Sequence, residues 1–165
     1  IAVTDVAMNI APNLQEKIAI VNNSVACLNR LGIEMPKVAV LGAVEMVSEN
    51  MQATLDAALL SKMNQREQIR HCIIDGPLAF DNAISLESAT HKGIKSDVAG
   101  DTDLLLMPDI EVGNVLYKSL VFFAHAGVAA VILGATAPIV LTSRSDSDQA
   151  KYDSIVLAAA ISRQE

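Results

Sequence analysis

The sequence predicts an α/β fold in which helices cover both faces of a largely parallel sheet. Short, continuously apolar segments, such as residues 38–41 and 104–107, alternate along the chain with segments of helical periodicity. This pattern is typical of parallel strands, because helices pack on both of their faces. The polar motifs come directly after apolar segments, and ligands bind at the carboxyl edge of such sheets. We therefore expect a layered αβα arrangement with its site along that edge.

Five segments are predicted to be helices. The first begins at Asn13, which forms a capping-box pattern with Glu16, and an apolar stripe continues until Gly32. The other four start at Ser48, span residues 81–90, span residues 112–124, and run from Ser147 or Asp148 to about residue 162.

Five short apolar segments are predicted to be strands. They comprise residues 38–41, 72–74, 104–107, 127–133 and 138–142. Gly42, the Asp75-Gly76-Pro77 turn and Pro108 are each expected to end the strand before them, since glycine and proline interrupt regular structure.

Size and composition favour one domain spanning residues 1–165, with an aliphatic core. Hydrophobic residues make up 52% of the 165 residues, whereas aromatic residues make up 3%. So high an apolar fraction also indicates that another domain or subunit covers one face. Because the chain opens on an apolar run at Ile1, we expect it to be part of a longer polypeptide.

The charge balance excludes some function classes. A formal net charge of −7 argues against nucleic acid, which requires many cationic contacts. It does not exclude a small anion held by a few cations. We expect no membrane partner, because the longest apolar candidate, residues 120–133, is interrupted and shorter than the roughly 20 residues that span a bilayer.

The cysteines and histidines do not predict a metal site. Cys27 and Cys72 lack CxxC spacing and are interpreted as small buried hydrophobes in a reducing compartment, hence the cytoplasm. His71, His91 and His125 share no ligand spacing either.

The segment Thr142-Ser143-Arg144-Ser145-Asp146-Ser147 predicts an anion site. It ends an apolar run and opens a helix. A helix start offers unpaired N–H groups and the positive end of its dipole, while Arg144 adds a forked donor.

Two upstream motifs support this hypothesis. Gly76 and Pro77, followed by Asp81, form either a simple turn or a place where the backbone approaches a ligand closely. The segment from Pro108 and Asp109 to Gly113-Asn114 is richer in polar residues than a strand exit requires.

Lys118 follows Asn114 by four residues, so both can face the same side of a helix. Its alternative interpretation is a solvated surface lysine. The chain has no Walker A motif, no GxGxxG and no GxSxG, which argues against nucleotide hydrolysis, dinucleotide binding and that class of hydrolase.

Taken in order, these three motifs resemble those of the phosphotransacylase family, which comprises phosphate acetyltransferases and phosphate butyryltransferases. The resemblance covers nearly the whole chain. It implies transfer of an acyl group between coenzyme A and inorganic phosphate, with coenzyme A as a substrate, acyl phosphate as the other product, and no prosthetic group. It also implies a fold similar to the isocitrate and isopropylmalate dehydrogenases, with two α/β domains. A homodimer or higher homo-oligomer is implied too, and this chain would be the C-terminal portion.

The resemblance also implies roles for individual residues. Ser143 and Arg144 would be catalytic residues that hold phosphate or the acyl phosphate and orient the thiol. Substrates would be bound at the positions of Gly76, Pro77, Asp81, Pro108, Asp109, Gly113, Asn114 and Lys118. Acetyl-type members place an aspartate shortly after the Ser-Arg pair as base for the thiol. Here the loop is longer, so Ser154 lies nearest that position, with Asp153 one step away. This departure favours the butyryl and branched-chain branch.

Two alternatives remain open from the residues. The chain could be a non-catalytic fragment or regulatory domain that binds coenzyme A or phosphate. A dehydrogenase of the related fold is a weaker alternative, because it would require a metal-binding aspartate cluster.

Overall fold

The computed structural model describes residues 1–162 and confirms the α/β fold with a parallel sheet. Its four strands are β1 (Ala2–Thr4), β2 (Lys37–Leu41), β3 (Ile73–Leu78) and β4 (Leu104–Leu106). They lie in the order β1-β4-β2-β3, and each neighbouring pair is parallel. The predicted domain also includes residues 163–165, which lie outside the described residues.

Six helices connect and follow these strands. They are α1 (Leu14–Arg30), α2 (Gln52–Gln65), α3 (Phe80–Ile84), α4 (Leu86–His91), α5 (Ile110–Phe122) and α6 (Asp148–Ser162). The capping box predicted for α1 is present: Glu16 N donates to Asn13 Oδ1 at 3.0 Å, and Asn13 N donates to Glu16 Oε2 at 2.7 Å. None of the helices within residues 1–162 is both long and apolar enough to cross a bilayer.

The sheet separates two cores because neighbouring strand residues point to opposite faces. On one face Val38 and Val40 of β2 pack with residues of α1 and α2. On the other face Ala39 and Leu41 pack with residues of α3 and α4 and with Leu116 of α5. Helices therefore cover both faces, as the continuous apolar strands predicted.

The two strands predicted after α5 are wrong. Among the described residues, the only pairing of residues 127–133 and 138–142 is an isolated antiparallel bridge between Ile132 and Ile139. A strand requires a hydrogen-bonded neighbour, and these segments pair with none of the four strands of the sheet. Two of their apolar side chains, those of Ile139 and Leu141, are exposed.

Several boundaries also differ from the prediction, and α5 spans residues 110–122 rather than 112–124. β3 continues through Asp75, Gly76 and Pro77 to Leu78, so that turn does not end it. α2 begins at Gln52 rather than at Ser48, and the Ser48 backbone instead bonds to the Thr54 hydroxyl. The predicted helix over residues 81–90 is divided at Ser85, which caps α4 through the Ser88 amide. Strand β1 was not predicted.

A buried ion pair joins α1 to α2. Lys17 Nζ lies 2.6 Å from Asp56 Oδ2, and both side chains are only 5% exposed. Gln52 Nε2 donates to the other carboxylate oxygen at 2.8 Å. Such a pair offsets its own desolvation only while both partners are present.

We therefore expect Lys17→Met to lower the free energy of unfolding by about 3–5 kcal/mol, because Asp56 would stay buried without a counter-charge. The double variant Lys17→Met/Asp56→Leu should recover most of this loss. Urea denaturation followed by circular dichroism measures both. The matched control is Lys62→Met on the exposed side of α2, for which we expect a change within about 0.5 kcal/mol. A single variant as stable as its control would contradict the desolvation argument.

Candidate anion site

The loop after β1 is organised by one carboxylate. Asp5 accepts hydrogen bonds from the backbone amides of Ala7, Met8 and Asn9 at 2.8–2.9 Å. Partial burial raises the pKa of Asp5, but these hydrogen bonds outweigh it, so its pKa lies below the ordinary value. The loop is thereby held rigidly at the carboxyl edge of the sheet.

Helix α5 starts against this loop. Asp109 caps the helix by accepting from Val112 N at 2.9 Å. Ile110 N donates to Ile10 O at 3.0 Å, and Asn114 Nδ2 donates to Val6 O at 3.1 Å. Two of the predicted site residues, Asp109 and Asn114, therefore lie together at this edge.

Gly113 allows the close packing of α5 on the loop. A Cβ at this position would collide with the Asp5 carbonyl oxygen and lie 3.1 Å from Met107 Cγ. Backbone against backbone leaves no room for a side chain. The glycine of the Gly-Asn motif thus has a structural reason in addition to its predicted role.

The Ser143–Arg144 loop is joined to α5 through Asp146. One oxygen of the Asp146 carboxylate accepts from Ser143 N at 2.6 Å, and the other accepts from Tyr117 OH at 2.8 Å. Ser143 Oγ and Ser145 Oγ are 3.0 Å apart. The loop therefore lies beside the helix that carries Asn114 and Lys118.

Helix α6 begins directly after this loop. Ala150 N donates to Ser147 Oγ at 3.1 Å, so Ser147 is the cap, one of the two residues predicted for that position. The next residues at the helix start are Asp148 and Gln149, whose amides have no partner among residues 1–162. Unpaired amides at a helix start favour an anion.

Two cations belong to the same region. Arg144 is exposed, and Lys118 Nζ lies 5.3 Å from the centroid of the Tyr117 ring. Within the part of the chain that the structure describes, neither forms an ion pair. Hydroxyl groups, a helix start and two uncommitted cations are chemically suited to a doubly charged oxyanion.

The Gly76-Pro77 motif lies elsewhere along the sheet. It is part of β3, the edge strand, and β2 separates it from β4 and α5. A Cβ on Gly76 would be 2.7 Å from Val40 O and 3.1 Å from Ala57 Cβ. The close approach of β3 to both β2 and α2 accounts for this glycine.

Asp81 belongs to a separate polar cluster beyond β3. Ser88 Oγ donates to it at 2.6 Å and Lys92 Nζ lies 3.1 Å away. These two contacts hold the pKa of Asp81 below its ordinary value. The structure thus divides the predicted site residues into a group around α5 and a group beyond β3. Their common role in substrate binding stays a prediction.

Ser154 is inside the protein. Its side chain is buried, donates to Ala150 O at 2.7 Å and accepts from Ala130 N at 2.9 Å. The neighbouring Asp153 accepts from Gln149 Nε2. Any catalytic role of Ser154 stays a prediction, and in this structure its hydroxyl serves two backbone groups.

The sequence reasoning missed the Lys17–Asp56 pair and the contacts of Asp146. Lys17 and Asp56 line an open cleft of about 560 Å³ whose wall also contains Pro108 and Asp109. Helical spacing could have indicated the pair, because Lys17 falls on the apolar stripe, three residues after Leu14. No spacing rule relates Asp146 to Tyr117, 29 residues away. Within residues 1–162 no cluster of three His, Cys, Asp or Glu side chains is placed to hold a metal.

Comparison with known proteins places the chain among phosphate acyltransferases. A family model described as "Phosphate acetyl/butaryl transferase" matches residues 1–159. The sequence is 56% identical over 162 residues to a probable phosphate butyryltransferase of Bacillus subtilis and 53% identical over 158 residues to the phosphate butyryltransferase of Clostridium acetobutylicum. It is 52% identical over 157 residues to the phosphate acetyltransferase of Thermotoga maritima. These alignments cover 95–98% of this chain but only 52–54% of each relative, so the chain spans about half their length.

Solved structures show the same relationship. A branched-chain phosphotransacylase from Enterococcus faecalis is 39% identical, with a TM-score of 0.90 over 99% of this chain and 58% of that protein. A phosphotransacetylase from Streptococcus pyogenes is 26% identical, with a TM-score of 0.78 over 96% of this chain and 48% of that protein.

The contact between Tyr117 and Asp146 predicts that the Tyr117 phenol ionises only at unusually high pH. Burial, together with the hydrogen bond to Asp146 and the negative charge of that carboxylate, raises the pKa of Tyr117 to about 12. The other tyrosine, Tyr152, is 63% exposed, so Tyr152→Phe leaves Tyr117 as the only reporter. In that variant we expect tyrosinate absorbance with a midpoint near 12. Adding Asp146→Asn should move the midpoint to lower pH, and an unmoved midpoint would contradict the contact.

The same shift has a consequence for stability. A raised pKa means that folding favours the protonated phenol, whose ordinary pKa is about 10. This contribution is complete below pH ~10 and is lost as the pH rises through about 12.

Proposed function

The chain belongs to the phosphate acetyl/butaryl transferase family, and we propose on that premise that the protein exchanges an acyl group between coenzyme A and inorganic phosphate. The observation that carries the proposal is the loop with Ser143 and Arg144, held beside α5 at the start of α6. Inorganic phosphate is a substrate in the forward direction, and acyl phosphate presents the same group in the reverse direction.

Each group has a defined part in the proposed reaction. Arg144, the Ser143 hydroxyl and the amides at the start of α6 hold phosphate while its oxygen attacks the thioester carbonyl of acyl-CoA. Negative charge develops on the carbonyl oxygen, and a forked donor such as the guanidinium stabilises it. The carbon–sulfur bond then breaks, the thiolate of coenzyme A takes up the proton that the attacking hydrogen phosphate loses, and acyl phosphate is released.

Both substrates bound together need no covalent enzyme intermediate. Holding the phosphate oxygen close to the carbonyl carbon supplies much of the rate enhancement. The entropy of orienting the two substrates is then lost on binding rather than in the chemical step. In the reverse direction the thiol, with a pKa of about 8.5, must lose its proton, and a nearby cation such as Lys118 favours the thiolate.

The acyl group that we propose is butyryl or branched-chain. The structural likeness to the branched-chain phosphotransacylase, with a TM-score of 0.90, exceeds that to the phosphotransacetylase, with 0.78. The sequence relatives include both butyryl and acetyl enzymes at similar identity. The longer loop after Arg144 supports the same choice.

We further propose that this chain is the C-terminal portion of a two-domain, homo-oligomeric cytoplasmic enzyme with a dehydrogenase-like fold. An exposed apolar stripe on α6 supports the proposal that another domain or subunit covers this helix. Its residues Tyr152, Ile155 and Val156 are 63%, 59% and 48% exposed. Exposed stripes of this kind mark surfaces that another part of a protein covers. The two cysteines are unpaired, which fits a reducing compartment.

The test is an acyl-CoA and phosphate assay that measures free thiol release. We expect Arg144→Gln to lower turnover about 10²–10³-fold, the scale for removing one charge-stabilising donor. The matched control, Arg66→Gln, alters an exposed arginine at the end of α2 and should leave turnover unchanged.

Equal turnover in Arg144→Gln and the wild type would remove Arg144 from the mechanism. Calorimetric binding of coenzyme A or phosphate without any thiol release would instead support the non-catalytic alternative.

A further inference from the structure

The geometry points to Asp146 and Tyr117 as positioning residues that hold Ser143 and Arg144 in place for phosphate, an inference that rests on the proposed function. Neither needs to touch a substrate. Their effect would pass through the Ser143–Arg144 loop, whose orientation decides whether the guanidinium meets the anion.

Both oxygens of the Asp146 carboxylate are engaged by groups of the protein. Its two oxygens accept from Ser143 N at 2.6 Å and from Tyr117 OH at 2.8 Å. Asp146 N also donates to Ser143 O at 3.1 Å, so the loop closes on itself in both directions. A carboxylate engaged in this way is suited to fixing a loop rather than to taking a proton from a thiol.

Tyr117 links the Ser143–Arg144 loop to helix α5, which is itself held against the loop after β1. It lies one helical turn after Gly113 and Asn114, which pack on and bond to the loop after β1. The backbone of the Ser143–Arg144 loop is therefore linked to the loop after β1 through Asp146, through Tyr117 on α5 and through the Asn114 side chain. A misplacement of about 1 Å in such a site costs roughly 10²-fold in rate.

The arrangement also keeps Arg144 free. A carboxylate two residues from an arginine is an obvious ion-pair partner, and such a pair would compete with phosphate. Here Asp146 faces the Ser143 amide and the phenol instead, and Arg144 has no hydrogen bond or ion pair within residues 1–162.

The experiment compares Tyr117→Phe, Asp146→Asn and Asp146→Ala with the wild type on the full polypeptide. Inorganic phosphate is the probe in calorimetry, and steady-state kinetics give separate KM values for phosphate and acyl-CoA. The matched control is Tyr152→Phe, which removes the hydroxyl of an exposed tyrosine. Thermal unfolding of every variant separates local from global effects.

We expect Tyr117→Phe to weaken phosphate binding about 10-fold, the effect of one lost hydrogen bond to a charged group. Asp146→Ala should weaken it about 10²-fold, with Asp146→Asn in between, because the amide oxygen still accepts from Ser143 N. The KM for acyl-CoA should stay within about 2-fold of the wild type, since a loosened loop affects the phosphate subsite alone.

Unchanged phosphate affinity in Tyr117→Phe and Asp146→Ala would overturn the inference. Equal losses of apparent affinity for phosphate and for acyl-CoA would also overturn it, because they indicate that the whole protein has loosened. A wild type that does not bind phosphate would overturn it as well. If the wild type binds phosphate but releases no thiol from acyl-CoA, the proposed function fails, and the phosphate titrations still decide the role of the two residues.

Discussion

The close approach of α5 to the loop after β1 decides where the functional groups of this protein lie. The helix packs backbone against backbone at Gly113 and is bonded to the loop through Asn114. Tyr117 then reaches Asp146 and the Ser143–Arg144 segment. This packed contact therefore fixes the loop after β1 and the Ser143–Arg144 segment relative to α5, and the anion site follows from it.

Much of the fold could be predicted because its information is local. Asn13 and Glu16 predict the start of α1, and the continuous apolar residues of β2 and β4 predict buried parallel strands. The errors arise where the structure of a segment depends on tertiary neighbours rather than on its own residues. Residues 127–133 have the composition of a strand but pair with no strand of the sheet, and β1 is too short to stand out from its surroundings.

The candidate site could be predicted only in part, for the same physical reason. The residues that follow strands were found because a parallel sheet collects them at one edge. Along this edge, however, β2 separates the Gly76 region from α5, and an edge several strands wide does not make a single pocket. The contact between Asp146 and Tyr117 depends on tertiary packing, which no periodicity in the sequence expresses.

The two faces of β2 carry a less obvious requirement. Val38 and Val40 enter one core while Ala39 and Leu41 enter the other, so neither face is polar. A slip of one residue would exchange these two aliphatic faces, and it would also move Lys37, which pairs with Asp101 Oδ2 at 2.6 Å, toward the buried position of Val38. Volume adds to this, because the methyl group of Ala39 would have to fill a space shaped for valine. The register of this strand is thus encoded both in side-chain size and in the charge at its first residue.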